Sequence, residues 1–206
     1  SSELALEQIS ARTAQILLDD KLPLMIGGEH LVTLGVFREV YKKHPDVKII
    51  HFDAHADLRQ EYLGVELSHA CVIRRCHDLV GDGRIFQFGI RSGDRSEFEW
   101  SQSGHTEMHK FDFDGLSKTV ETLKGSPIYL TIDLDVLDPA FFPGTGTPEA
   151  GGVSFKDLLQ AIVTVGSPSY IVGCDVNELS PHYDQSGAST ALACKVVREL
   201  ILALQK

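Results

Sequence analysis

Long apolar runs are missing here. No stretch of about 18 consecutive apolar residues occurs among the 206, so no segment reads as a membrane span. Basic residues are few: Lys and Arg number 19 against 29 Asp and Glu, for a formal net charge of -10. That balance argues against a nucleic-acid partner, which needs a basic patch, and mildly favours a small cationic ligand. Cysteine is scarce. Cys71, Cys76, Cys174 and Cys194 form no CxxC pair and no disulfide framework, so they are expected to be reduced thiols in a cytoplasmic protein. Cys71 and Cys76 with His77 could be drawn as half a zinc site, but the segment reads as helix and no second half follows. The opening residues, Ser1-Ser2-Glu3-Leu4, show no basic region ahead of an apolar stretch, so no secretory leader is expected.

What is present is a chain that is 43% hydrophobic and 23% charged, enough for one globular domain spanning 1–206. Short apolar runs predict strands over Leu22–Ile26, Val47–Phe52, Arg84–Ile90, Ile128–Leu134 and Tyr170–Val176. Amphipathic helices are predicted over Leu4–Leu18, Leu31–Tyr41, His69–Leu79, Phe155–Val165 and Ala188–Leu204. Strands alternating with helices imply βαβ units, and therefore a parallel sheet between helical layers. The near-continuous apolar strand Lys48-Ile49-Ile50-His51-Phe52 fits a sheet buried on both faces. Asp138 to Gly152 is rich in Gly and Pro and reads as a long structured loop, of the kind that often carries function.

Four of these strands run into residues suited to chemistry. The first leads to Gly27-Gly28-Glu29-His30 and the second to Asp53-Ala54-His55-Ala56-Asp57. The strand at Ile128 leads to Asp133-Leu134-Asp135, and the last to Asp175-Val176-Asn177-Glu178. Ligands of open parallel sheets bind beyond the carboxyl ends of the strands, so all four clusters should meet along one edge. His30, Asp53, His55, Asp57, Asp133 and Asp135 then gather four carboxylates and two imidazoles. Carboxylates so close raise one another's pKa unless cations sit among them. Two divalent ions balance the charge better than one. An oxygen-dominated set with imidazole and no thiolate favours Mn²⁺ over structural Zn²⁺. Two such ions can hold a hydroxide nucleophile at neutral pH. Taken singly, each cluster has an ordinary reading: Asp133 could be a cap or turn residue. Their joint appearance at strand ends is much harder to ascribe to chance.

These motifs resemble the ureohydrolases, the group of arginases, agmatinases and related amidinohydrolases. The resemblance rests on Gly27–His30, Asp53–Asp57 and Thr131-Ile132-Asp133-Leu134-Asp135-Val136-Leu137-Asp138-Pro139, the last continuing through Pro143–Gly152. It implies an arginase-like three-layer α/β/α sandwich with a mainly parallel sheet, and two Mn²⁺ per chain. His30 and Asp57 would serve one metal and His55 and Asp135 the other, with Asp53 and Asp133 bridging. Glu178 would grip the substrate guanidinium. His69 would relay protons at the pocket mouth, although without the motif it would read as a surface helix cap. Asp57 would carry the proton to the leaving amine. His51 reads as a packed core residue, and His44, His77, His105 and His109 read as surface. His182 reads as surface by default, with a place on the pocket wall as the alternative.

A guanidinium carbon is a poor electrophile, so its hydrolysis needs a strong nucleophile and tight orientation. A bidentate carboxylate matches the planar fork of N–H donors. The stretch Asp57–Gly64 followed by Ser68-His69-Ala70 is similar to agmatinases rather than arginases. The expected reaction is therefore agmatine to putrescine and urea, in a pocket lined by acidic groups. The alternatives are another amidinohydrolase (guanidinobutyrase, formimidoylglutamase or arginase) or a non-catalytic paralogue serving as a binding subunit. A one-metal zinc deacetylase of similar fold would not need all six ligands. The resemblance also implies a homo-oligomer, trimer or hexamer, and a family N-terminal region that these 206 residues lack.

Overall fold

A computed structural model describes residues 1–205. Its centre is a six-stranded sheet: β1 (Leu24–Ile26), β2 (Lys48–Phe52), β3 (Ile85–Ile90), β4 (Glu107–Lys110), β5 (Pro127–Asp133) and β6 (Tyr170–Asn177). The spatial order is β1-β6-β5-β2-β3-β4, and every neighbouring pair is parallel. The four strands expected to carry chemistry, β1, β6, β5 and β2, are therefore contiguous in the sheet.

Side chains alternate between two cores, as a strand's period of two requires. From β2, Ile49 joins one core and Ile50 and Phe52 the other; from β5, Tyr129 opposes Ile128, Leu130 and Ile132. The first core is closed by α1 (Ser2–Leu18), α2 (Val32–Lys43) and α3 (Val72–Val80), through Leu6, Leu34, Phe37 and Ile73. The second is closed by α5 (Leu116–Thr122), α6 (Phe155–Gly166) and α7 (Ala188–Leu204), through Leu116, Leu158, Ile162, Val196 and Leu200. The result is the expected three-layer α/β/α sandwich. Where the α6 helix starts is set locally: Ser154 and Asp157 form a reciprocal capping box.

The five expected strands and five expected helices are all present, with bounds shifted by a few residues. Two differences have physical causes. The helix expected from His69 begins as a 3-10 turn, His69–Cys71, because the His69 and Cys71 N–H groups are bonded to Glu29 and Ser68. The stretch between β3 and β5 holds structure that apolar periodicity does not reveal: α4 (Arg95–Trp100), a π-helical turn Ser101–His105, the edge strand β4, and α5. Among the described residues no helix is long and apolar enough to cross a membrane.

Candidate metal centre and active site

A row of polar residues crosses the sheet beneath the site. Register pairs Gln87 with His51, His51 with Thr131, and Thr131 with Asp175, so four strands present polar side chains side by side. All four residues are buried. A buried polar group is costly unless bonded, and these are bonded to one another or to the residues above them. The Gln87 amide donates to His51 Nδ1 at 3.0 Å, which leaves His51 Nε2–H to donate to Asp53 Oδ2 at 2.8 Å. The Thr131 hydroxyl donates to Asp175 Oδ1 at 2.6 Å, and its oxygen lies 2.9 Å from His30 Nε2. His30 therefore carries its proton on Nε2 when neutral, and its Nδ1 lone pair points the other way.

That lone pair faces three carboxylates. His30 Nδ1 lies 3.0 Å from Asp57, 3.2 Å from Asp53 and 3.3 Å from Asp133, fully buried and with no hydrogen-bond partner. A lone pair aimed at three anions is repulsive unless a positive charge lies between them. His55 repeats the arrangement: its Nδ1 is 3.0 Å from Asp135 Oδ2 and 3.4 Å from Asp53 Oδ1. Asp53 turns Oδ2 toward His30 and Oδ1 toward His55, the posture of a bridge between two cation positions. Asp133 Oδ1 accepts from the Asp135 N–H at 2.9 Å, leaving Oδ2 for the cluster. The six side chains named from the sequence thus converge, and the donor set fits two divalent ions.

The protonation preferences reflect the same demand for positive charge. Burial lowers the pKa of His30, but the Asp133, Asp53 and Asp57 carboxylates facing its ring outweigh it and raise it well above the usual value. His55, also opposed by burial, is pushed up to about 12 by Asp135 and Asp53. Burial, with the neighbouring charges of Asp135 and Asp53, drives the Asp133 carboxyl well upward. Asp53 goes the other way: His51, His30 and His55 outweigh its burial and hold it well below the carboxylate range.

The backbone aims these side chains. Gly27 closes β1 against Asn177 and Val32, and a Cβ there would collide with both. Asp57 and Glu178 sit at φ 54° and 68°, the left-handed region that costs a non-glycine residue roughly 1–3 kcal/mol. Glu178 is anchored by its own N–H to Gly28 O at 2.7 Å, and its Oε1 accepts from the His30 N–H at 2.7 Å. Burial raises its pKa, opposed by that His30 N–H. The long loop after β5 is held by the Arg91 guanidinium, which donates to the Asp135 and Glu149 carbonyls at 2.7 and 2.8 Å.

A cleft of about 320 Å³ opens over this cluster, lined by His55, Asp57, Arg59, Tyr62, His69, Thr147 and Glu149 among others. A larger surface groove, about 680 Å³, lies elsewhere, against Ser1, Arg38, Glu66 and Arg75, and touches none of the clustered ligands. His69 stands at the cleft with its Nδ1 3.3 Å from Glu29, which raises its pKa against partial burial. Arg59 is neutralised by Asp94 at 3.0 Å and Glu97 at 3.6 Å, so Glu149 and Asp57 give the lining an acidic cast. His51 is a buried core residue, and His182 is exposed. His77 and His105, expected at the surface, are partly covered: both pack against Trp100. The polar row was not singled out from the sequence. The available signal was polar residues at alternate positions within apolar strands: Thr131 and Asp133, or Asp175 and Asn177.

A parallel α/β sheet with paired cation positions at its carboxyl edge defines a class of binuclear metallohydrolases. Within that class the assignment is direct: residues 1–203 match the Arginase family model, and the chain belongs to the Arginase family. It is 45% identical over 208 residues to the agmatinase of Bacillus cereus, covering 100% of this chain and 72% of that one. It is 34% identical over 194 residues to the guanidinobutyrase of Pseudomonas aeruginosa, covering 89% and 60%. A crystal structure from Clostridium difficile superposes with a TM-score of 0.95 at 51% identity, covering 99% of this chain and 75% of that one.

Proposed function

We propose that this protein hydrolyses agmatine to putrescine and urea. The observation that carries the chemistry is the pair of imidazole Nδ1 atoms, each facing carboxylates, with Asp53 between them. The substrate follows from the 45% identity to an agmatinase across the whole chain. We assign His30, Asp53 and Asp57 with Asp133 to one metal, and His55, Asp135 and the bridging Asp53 and Asp133 to the other. Mn²⁺ suits this oxygen-rich set. When bound, the two cations supply an activated water and neutralise the carboxylates.

The chain's own residues do the rest. Glu178 turns a carboxylate toward the guanidinium and fixes its plane, which sets the line of attack on the central carbon. Addition of water breaks the planar resonance. Cleavage of the C–N bond to the alkyl chain then releases urea, and the departing amine takes up a proton. Asp57 holds that proton at its carboxylate, and His69 exchanges it with solvent at the cleft mouth. The distal ammonium of agmatine extends into the cleft beside Glu149. All four cysteines are free, which suits the cytoplasm in which we place the reaction. A homo-oligomer, trimer or hexamer, is the expected assembly.

The test is urea release after stripping the protein and reloading it with Mn²⁺, with agmatine, arginine and 4-guanidinobutyrate in parallel. Turnover of agmatine alone is expected. Preferred turnover of another guanidine would replace the substrate and keep the chemistry. No urea from any, with two Mn²⁺ bound per chain, would overturn the catalytic reading.

A further inference from the structure

We propose a third metal site, distinct from the catalytic cluster, in which His77, Asp82 and His105 bind one late first-row divalent cation of the Zn²⁺, Ni²⁺ and Cu²⁺ kind. His77 lies in the last turn of α3, Asp82 in the turn into β3, and His105 just before β4. All three therefore sit at the amino edge of a parallel sheet whose carboxyl edge holds the catalytic cluster. The six residues of β3 put about 20 Å between those edges.

Local sequence places the three groups. Gly81 ends α3 at φ 75° and Gly83 follows at φ 71°, so Asp82 is presented at the tip of a Gly-Asp-Gly turn. Gly104, at φ 100°, turns the chain so that His105 faces back toward α3. His77 Nε2 lies 2.8 Å and His105 Nδ1 2.7 Å from the same oxygen, Asp82 Oδ1. Both rings are oriented before any ligand arrives. His105 stacks on the Trp100 indole at 4.3 Å, His77 meets its edge at 4.6 Å, and Arg74 packs over Trp100 at 4.0 Å.

Two imidazoles and one carboxylate are a common ligand set for these ions, with the fourth position left to water. Ligand atoms about 2.0–2.1 Å from a tetrahedral ion stand about 3.3 Å apart, so Asp82 must retreat by about half an ångström. Its side chain is 62% exposed and free to do so. Among the described residues Asp82 has no Lys or Arg partner, and the side chains facing its carboxylate are the two imidazoles. A bound ion would fasten the α3–β3 turn to the 101–105 turn.

Trp100 is the chain's one tryptophan, and it touches both ligand rings. Copper binding at the site should therefore quench the tryptophan emission of the whole protein. The experiment titrates Cu²⁺ into Mn²⁺-loaded protein in a Cys194→Ser background, followed by Zn²⁺ competition. Saturable quenching at one equivalent, relieved by excess Zn²⁺, is expected. Asp82→Asn, which keeps both rings stacked, should weaken it at least tenfold, and His77→Gln and His105→Gln should abolish it. Urea release from agmatine should be unchanged in all three variants. Quenching that does not saturate, or that is the same in Asp82→Asn as in the parent, would overturn the proposal.

Discussion

Glu178 and His30 hold each other: the His30 N–H donates to Glu178 Oε1 at 2.7 Å across 148 residues of sequence. The same segment returns the bond, since Glu178 N–H donates to Gly28 O at 2.7 Å. One carboxylate thus fixes the loop that carries His30, and in the proposed reaction it also grips the guanidinium. Glu178→Gln keeps an acceptor for His30 but removes the charge. It should lower kcat/KM for agmatine by about 2–4 kcal/mol, roughly thirtyfold to a thousandfold, with two Mn²⁺ still bound. Glu178→Ala removes the acceptor as well, and should also lower stability by about 1–3 kcal/mol. Unchanged kinetics in Glu178→Gln, with metal content measured in parallel, would remove Glu178 from the substrate site.

Metal-free protein should lose stability as pH rises from neutral. The folded state keeps a proton on His55 up to about 12, whereas the unfolded chain releases it near 6.5. A raised folded pKa gives stability that is complete below 6.5 and is lost on the way up to about 12. Asp133, driven upward by burial and by Asp135 and Asp53, has the same sign. Asp53, held low, is ionised in both states across this window and adds no slope. The slope is at most about 1.4 kcal/mol per proton per pH unit. Thermal melts of stripped protein should show the midpoint falling from pH 6.5 to 9, and Mn²⁺ should abolish the trend. A flat profile would contradict the charge balance described for the cluster.

Much of the site was legible because the chemistry sits at strand ends, where a motif is short and contiguous. Asp53-Ala54-His55-Ala56-Asp57 alone is a weak pattern, and it reads as a candidate ligand set through its company with the clusters at the other strand ends. The polar row was not legible for the opposite reason. Gln87, His51, Thr131 and Asp175 come from four strands and meet only through register. Strand β4 escaped because Glu107-Met108-His109-Lys110 lies at the sheet edge, half exposed, with no apolar alternation to mark it. Helices α4 and α5 span only 6 and 7 residues, too few for a 3.6-residue period to stand out.

The alkaline limb of the pH–rate profile should respond to Glu29. The Glu29 carboxylate, 3.3 Å from His69 Nδ1, is the main cause of the raised His69 pKa, opposed by partial burial. If His69 delivers protons as an acid, activity falls as it deprotonates. Glu29→Gln removes the anion that favours imidazolium, so the limb should move to lower pH, while the plateau rate stays near that of the parent. His69→Asn should cost on the order of a hundredfold in kcat and be partly rescued by added imidazole. A limb that stays in place in Glu29→Gln would assign it to another group.

Arg91 should prove to be the anchor of the loop that carries half the centre. Its guanidinium reaches the carbonyls of Gly89, Asp135, Val136 and Glu149, all within 3.2 Å, so one planar fork ties β3 to both ends of the segment 135–149. The side chain bonds to none of the six clustered side chains, yet it holds the Asp135 carbonyl at 2.7 Å. Lysine keeps the charge but offers one ammonium in place of five directed N–H donors, so it cannot satisfy four carbonyls at once. Arg91→Lys should therefore lower stability by about 1–3 kcal/mol and weaken binding of the metal that Asp135 serves by about 10- to 100-fold. Mn²⁺ titration separates this from a general loss of folding: the weaker of the two binding steps should shift, and saturating Mn²⁺ should restore most of kcat. If both steps keep their affinity in Arg91→Lys, the carbonyl clamp does not control the position of Asp135.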